Sequence, residues 1–196
     1  MAQEKQMTHE ESLELIQSMI DTARNKVADD GFHLILWGIL VIACCLLNYF
    51  LFQAGYGNIS GLPWLCMPVV GVPAGIIYER RFRRSAGIRT VVDTNIKYLW
   101  WSYGGALFLV LFYSGSIQVS PVPYILMITG MVTFASGLML RFRPMMAGGV
   151  VFFILTLACL WVQPVDQLLL EALGVFLGYI IPGIILRRLS KSQADV

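Results

Sequence analysis

Few side chains in this sequence are of a type that does chemistry, and most are spaced against it. The two histidines are His9 and His33. His9-Glu10-Glu11 begins like the helix of a zinc hydrolase, but the second histidine that would complete H-E-x-x-H is missing. Cys44, Cys45, Cys66 and Cys159 contain no C-x-x-C pair, so thiol-relay and zinc-ribbon chemistry lack their spacing. Cys66 and Cys159 fall at similar depth, so a disulfide between them is conceivable, although buried apolar thiols are the default. There is no G-x-S-x-G elbow and no phosphate-cradling loop, and Asp29-Asp30 lack the further oxygen ligands of a calcium loop. The expectation is a chain that is not an enzyme, with no cofactor and no metal. What remains is Glu171 and Asn48, two strongly polar side chains within apolar stretches. Such residues are functional candidates because lipid makes them costly. Glu171 reads either as a proton or cation site or as a helix-start residue whose negative charge suits the dipole. Asn48 reads either as a ligand contact or as a hydrogen bond between helices.

The elements that must hold these residues are written in the composition. Of the 196 residues, 57% are hydrophobic and only 13% charged, about half the charged share of an ordinary soluble domain. The apolar residues come in blocks, so lipid rather than water is the solvent. Six blocks have the roughly 17–25 residues a spanning helix needs: 32–51, 62–78, 98–115, 121–140, 144–162 and 168–186. The predicted fold is all-α, a polytopic bundle of six transmembrane helices as three hairpins, plus an N-terminal cytoplasmic amphipathic helix. Residues 1–31 form the cytoplasmic N-terminal segment, 32–188 the membrane domain with a cytoplasmic loop at 79–97, and 189–196 a cytoplasmic tail. Pro63, Pro68 and Pro73 predict a kink or tilt in the second span.

Charge orients the bundle. All 14 Lys and Arg residues fall on one side of this map, in the N-terminal segment, the 79–97 loop, the Arg141–Arg143 turn and the residues after the sixth span. The opposite connections, near 55–61, 116–120 and 163–167, carry none. The positive-inside rule then puts both termini in the cytoplasm, and an odd number of spans would destroy the pattern. Trp64, Tyr113, Tyr124 and Trp161 at one end, and Trp37, Tyr78, Tyr98, Trp100 and Trp101 at the other, suit the headgroup zones. The polar, acidic start has no cleavage pattern, so the first span is expected to stay as an anchor.

Outside the lipid, Thr8-His-Glu-Glu11 has the form of a capping box that starts a helix near Glu10. Leu13, Ile16, Ile20, Ala23 and Val27 then recur at helical spacing, an apolar stripe suited to a second copy, a protein partner or the bundle's own cytoplasmic face. Arg80, Arg81, Arg83 and Arg84 could touch lipid headgroups, or simply fix orientation. Residues 88–97 can form a short helix leading into the third span. Within the spans, Gly71, Gly75, Gly174 and Gly178 form two small-xxx-small patterns for helix packing. Thr129, Thr133 and Ser136 line one side of the fourth span and can bond back to their own helix carbonyls. Shared glycines and Gly-to-Arg span ends hint at a threefold repeat of the hairpin.

The run Ser12-Leu-Glu-Leu-Ile-Gln-Ser-Met-Ile20, followed by Gly31-Phe-His-Leu-Ile-Leu-Trp-Gly38, resembles the opening of a group of bacterial inner-membrane proteins of about this length that have no assigned activity. The resemblance implies a multi-pass protein of the cytoplasmic membrane and carries no functional residues. The expected function is an integral membrane protein whose cytoplasmic helix mediates self-association or partner docking, with lipids as further partners and no nucleic acid. The alternative is a small-solute or ion permease that uses Glu171 and Asn48.

Overall fold

The computed structural model describes residues 9–82 and 91–192, with side chains described over 31–78, 80–81 and 94–188. Its helices are α1 (His9–Gln53), α2 (Leu62–Phe82), α3 (Val91–Ile117), α4 (Val122–Met139), α5 (Arg143–Ala158), α6 (Gln167–Val175) and α7 (Ile181–Ser192). A π-helical stretch, Phe176–Ile180, joins α6 to α7, and 3-10 turns occupy Gly57–Ile59 and Cys159–Trp161. The fold is all-α.

Five segments are long and apolar enough to cross a membrane: Gly31–Gln53, Gly57–Tyr78, Val122–Met139, Arg143–Trp161 and Gln167–Arg188. They suggest a multi-pass membrane protein and fall within a few residues of five expected spans. The remaining expected span, 98–115, lies inside α3, which has 27 residues but is less apolar than these five. Its first turns carry Tyr98, Trp100, Trp101 and Tyr103, whose polar ring atoms score low although the rings themselves are large and apolar.

The N-terminal helix and the first apolar stretch are continuous. α1 is one helix of 45 residues, about 68 Å long at roughly 1.5 Å per residue, more than twice the roughly 30 Å of a hydrocarbon core. The side chains of Leu13, Ile16, Ile20, Ala23 and Val27 lie outside the described residues, as does Thr8. α3 likewise runs from Val91 straight through its apolar stretch. Pro68 and Pro73 sit inside α2 without ending it, while Pro63 takes a first-turn position where the missing N–H has no cost.

Four rods form the centre: α1, α4, α5 and the α6–α7 rod. Leu126, Phe152, Ala172, Val175 and Tyr179 meet Cys45 there. With no hydrophobic drive between helices in lipid, contact depends on small residues that let backbones approach. A Cβ added to Gly137 would lie 2.7 Å from the Met146 nitrogen, and one added to Gly148 would lie 2.8 Å from the Gly178 Cα. α2 packs on α1 and α3 on α4, each at an edge, with Leu65 and Val69 or Phe108 and Phe112 turned outward. The three hairpins therefore have different surroundings: one central and one edge helix, then edge and central, then two central.

The α4–α5 turn is closed by the amides of Arg141 and Phe142, which donate to the Leu138 and Gly137 carbonyls at 3.2 and 2.9 Å. This pattern places Arg141 in the left-handed region (φ 52°), where glycine is the usual residue. Pro182 has no N–H for the Gly178 carbonyl one turn back, and the widened π turn directly precedes it.

Candidate functional site

One turn of α1 looks in two directions. Cys44 and Asn48 face α2, and Cys45 faces α6. On the α2 side the Cys44 thiol donates to the Pro63 carbonyl at 3.3 Å. The Asn48 amide donates to the Ser60 carbonyl (3.1 Å) and hydroxyl (3.3 Å), and its oxygen accepts the Trp64 indole N–H at 3.0 Å. Ser60 in turn donates to the Gly57 carbonyl at 2.9 Å. Asn48 thus ties α1 to the start of α2, the hydrogen-bonding role rather than the ligand role.

On the α6 side lies Glu171. It is not a helix-start cap: it is the fifth residue of α6, past the free N–H groups, and only 3% exposed. Asp166 takes the N-cap position, without a capping side-chain bond. The Glu171 carboxyl hydrogen-bonds the wholly buried Cys45 thiol, and its Oε2 has no partner. One turn earlier Gln167, 6% exposed, donates its amide to the Cys159 and Val162 carbonyls at 3.1 and 3.2 Å. The Cys159 carbonyl also accepts the Val162 backbone N–H at 3.4 Å, so Gln167 adds a second donor there and a donor to the Val162 carbonyl just past the 3-10 extension. Its own Oε1 is then buried without a partner.

Deeper along the same rod a set of hydroxyls crosses between helices. Tyr103 of α3 shares a 3.0 Å hydrogen bond with Thr129 of α4, and Thr133 donates to the Tyr179 hydroxyl at 3.5 Å. Both threonines could bond back to their own helix carbonyls, and in the structure both bridge to other helices. Ser136 Oγ is buried without a partner. Tyr179 packs edge-on against Phe152 and tilts toward Trp100. In an unbroken α-helix, Tyr179 would sit about 80° round from Glu171; the extra residue of the π turn takes most of that back. The bulge therefore brings both onto the buried face.

The hydrogen bonds of Asn48 go to Ser60 and Trp64 and that of Glu171 to Cys45, so the two residues use different partners. A groove of about 380 Å³ lies elsewhere, between α3 and α4, lined by Leu109, Val110, Phe112, Tyr113, Ser114 and Tyr124. Gly71 presses on Trp37 and Leu40 of α1, whereas Gly75 meets only the His33 ring at 3.7 Å. Gly174 and Gly178 both pack on Phe152. Arg80 and Arg81 are exposed at the end of α2, and Arg83 and Arg84 lie outside the described residues. All four cysteines are free, with Cys159 buried and Cys66 exposed, so the Cys66–Cys159 disulfide is not formed. Among the described residues no three His, Cys, Asp or Glu side chains converge as a metal site would require.

The sequence reading missed Gln167, which it placed in a loop, and the mid-span tyrosines Tyr103 and Tyr179. The signals were a Gln and a Glu four residues apart on one face, and tyrosines too deep to be interfacial anchors. Comparison with known family models, curated proteins and solved structures gave no match.

Proposed function

We propose that this chain is a non-catalytic membrane protein with both termini in the cytoplasm, whose first helix is a docking rod for a second copy or a partner helix. One observation carries this reading: α1 is unbroken from His9 to Gln53. The portion before Gly31 continues the axis of the first span for about 33 Å, so a protein bound to the rod acts on the bundle without an intervening hinge. The stripe of Leu13, Ile16, Ile20, Ala23 and Val27 supplies the apolar contact. Arg80 and Arg81, exposed at the end of α2, and Arg83 and Arg84 after them in the sequence would supply contacts to anionic headgroups, and the resemblance of residues 12–38 favours a bacterial inner membrane.

The orientation requires α3 as a sixth span, which returns every basic side chain to one face. A cysteine planted beside Arg141 should stay unlabelled by an impermeant maleimide applied to whole cells, and labelling there would reject the map. Deletion of residues 1–28 should leave the bundle inserted and reduce its mass, by light scattering on detergent chromatography, by at least one bound copy or partner. An unchanged assembly rejects the docking role. The permease alternative loses Asn48 to the α1–α2 seam and rests on Glu171. For it, wild-type proteoliposomes should show a flux that Glu171→Gln abolishes, and a wild type without flux would remove it.

A further inference from the structure

Glu171 and Gln167 pose a problem of hydrogen-bond accounting that the docking role does not touch. Both lie on one face of α6, one turn apart, where Cβ atoms are roughly 6 Å from each other. Each is more than nine-tenths buried, and each ends in an oxygen without a donor, Glu171 Oε2 and Gln167 Oε1. Reversing the Gln167 amide does not help, because its nitrogen is held by the Cys159 and Val162 carbonyls, which only accept. An ionised carboxylate only accepts as well, so an ionised Glu171 would leave two buried acceptors facing a shared deficit of one donor. Unpaired buried acceptors are rare in folded proteins, and each points to something that fills it. Among the described residues, the Cys44 and Cys45 thiols of α1, the Cys159 thiol beyond α5 and the Tyr103 phenol of α3 are near enough to feel a charge on Glu171. These are thiols and phenols, and none of them is a base that carries positive charge. Asp166, half-exposed at the start of α6, is a further acid.

We propose that Glu171 is the seat of an intramembrane proton-binding site, held as a carboxylic acid whose O–H is donated to Gln167 Oε1 while the carboxyl accepts the Cys45 thiol. One proton completes an ordered chain from the Cys45 thiol through Glu171 and the Gln167 amide to the two carbonyls that end the α5 segment. The bound species is the proton itself, and the wall that retains it is the packing of α1 against α6.

Infrared difference spectroscopy of the full-length protein in lipid vesicles, wild type against Glu171→Gln, tests this. The expected result at pH 7 is a protonated-carboxyl C=O band present in the wild type, missing in the variant and insensitive to sodium chloride. Carboxylate bands in its place overturn the proposal, and a band that sodium converts to carboxylate assigns the site to a metal cation instead. Dicyclohexylcarbodiimide gives a chemical readout. The acid adds across one C=N bond, its oxygen to the central carbon and its proton to nitrogen, and the adduct rearranges to an N-acylurea that retains every atom of the reagent. Mass spectrometry should find that adduct on Glu171, less of it as pH rises. Because Gln can both donate to Gln167 and accept from Cys45, Glu171→Gln should keep the wild-type unfolding midpoint, while Glu171→Leu lowers it. A midpoint lost equally in both would count against the proton.

Discussion

The two seams of α1 treat polar groups in opposite ways. Toward α2, Cys44 and Asn48 meet carbonyl, hydroxyl and indole partners, and every strong donor and acceptor of the Asn48 amide is used. Toward α6, three residues away on the same helix, Cys45 meets a carboxyl group that still has an unpartnered oxygen. Both clusters are near the end of the bundle without basic residues, and both include a cysteine and one strongly polar residue. The difference is in what each accomplishes. A saturated cluster fixes two helices and has no capacity left for a ligand, whereas an unsaturated one is incomplete until something binds. The same contrast separates edge from centre: α2 leaves much of its surface outward, while α6 and its π turn are packed against Phe152.

The largest effect expected on this contrast is at Gly148. A Cβ there would fall 2.8 Å from the Gly178 Cα and 2.9 Å from its carbonyl oxygen. Backbone cannot swing aside as a side-chain tip does, so Gly148→Ala should cost roughly 3 kcal/mol by overpacking. The unfolding midpoint in detergent, followed by tryptophan emission, measures it. A variant as stable as the wild type would show that the central rods can move apart at little cost. Next is Asn48→Leu, which removes three contacts and leaves the Trp64 N–H bare. At about 0.6 kcal/mol per hydrogen bond between membrane helices, the loss should be about 2 kcal/mol, with a shift in Trp64 emission. If it costs nothing, the saturated seam is not what holds α2.

The seams differ as well in how far they could be read from the chain. Five of the six expected spans were legible to within a few residues because a bilayer demands long apolar blocks. The α1 junction was not: Asp29, Asp30 and Gly31 are weak helix formers at the edge of the apolar block, yet α1 continues through them. Asn48 was legible as an interhelical bond. Glu171 was legible as an exception, but the choice between a helix cap and a buried acid was not, because its partner Cys45 comes from the packing of α1 on α6. The π turn was hidden too. Pro182 announces a lost hydrogen bond, but not whether the helix kinks, ends or widens.

A smaller effect is expected where α3 joins the centre. Thr129→Val removes the partner of the Tyr103 hydroxyl while keeping the shape of the side chain. One interhelical bond should cost about 0.6 kcal/mol. A much larger loss would place Tyr103 and Thr129 in one cooperative network with the Thr133–Tyr179 pair, measurable by adding Tyr179→Phe and comparing the double variant with the sum of the singles.

Smallest of all should be Gly75→Ala. Gly75 belongs to a small-xxx-small pattern that looks like Gly174 and Gly178 in sequence, but its nearest foreign atom is the His33 ring carbon at 3.7 Å, an ordinary contact. Added methyl bulk meets no backbone, and alanine raises helix propensity, so stability should stay within about 0.5 kcal/mol of the wild type. The Gly148→Ala and Gly75→Ala midpoints, taken side by side, therefore measure the centre against the edge with the same chemical change. If Gly75→Ala instead costs as much as Gly148→Ala, something outside this chain presses on that face of α2, and the edge helix is an interface rather than a lipid-facing wall.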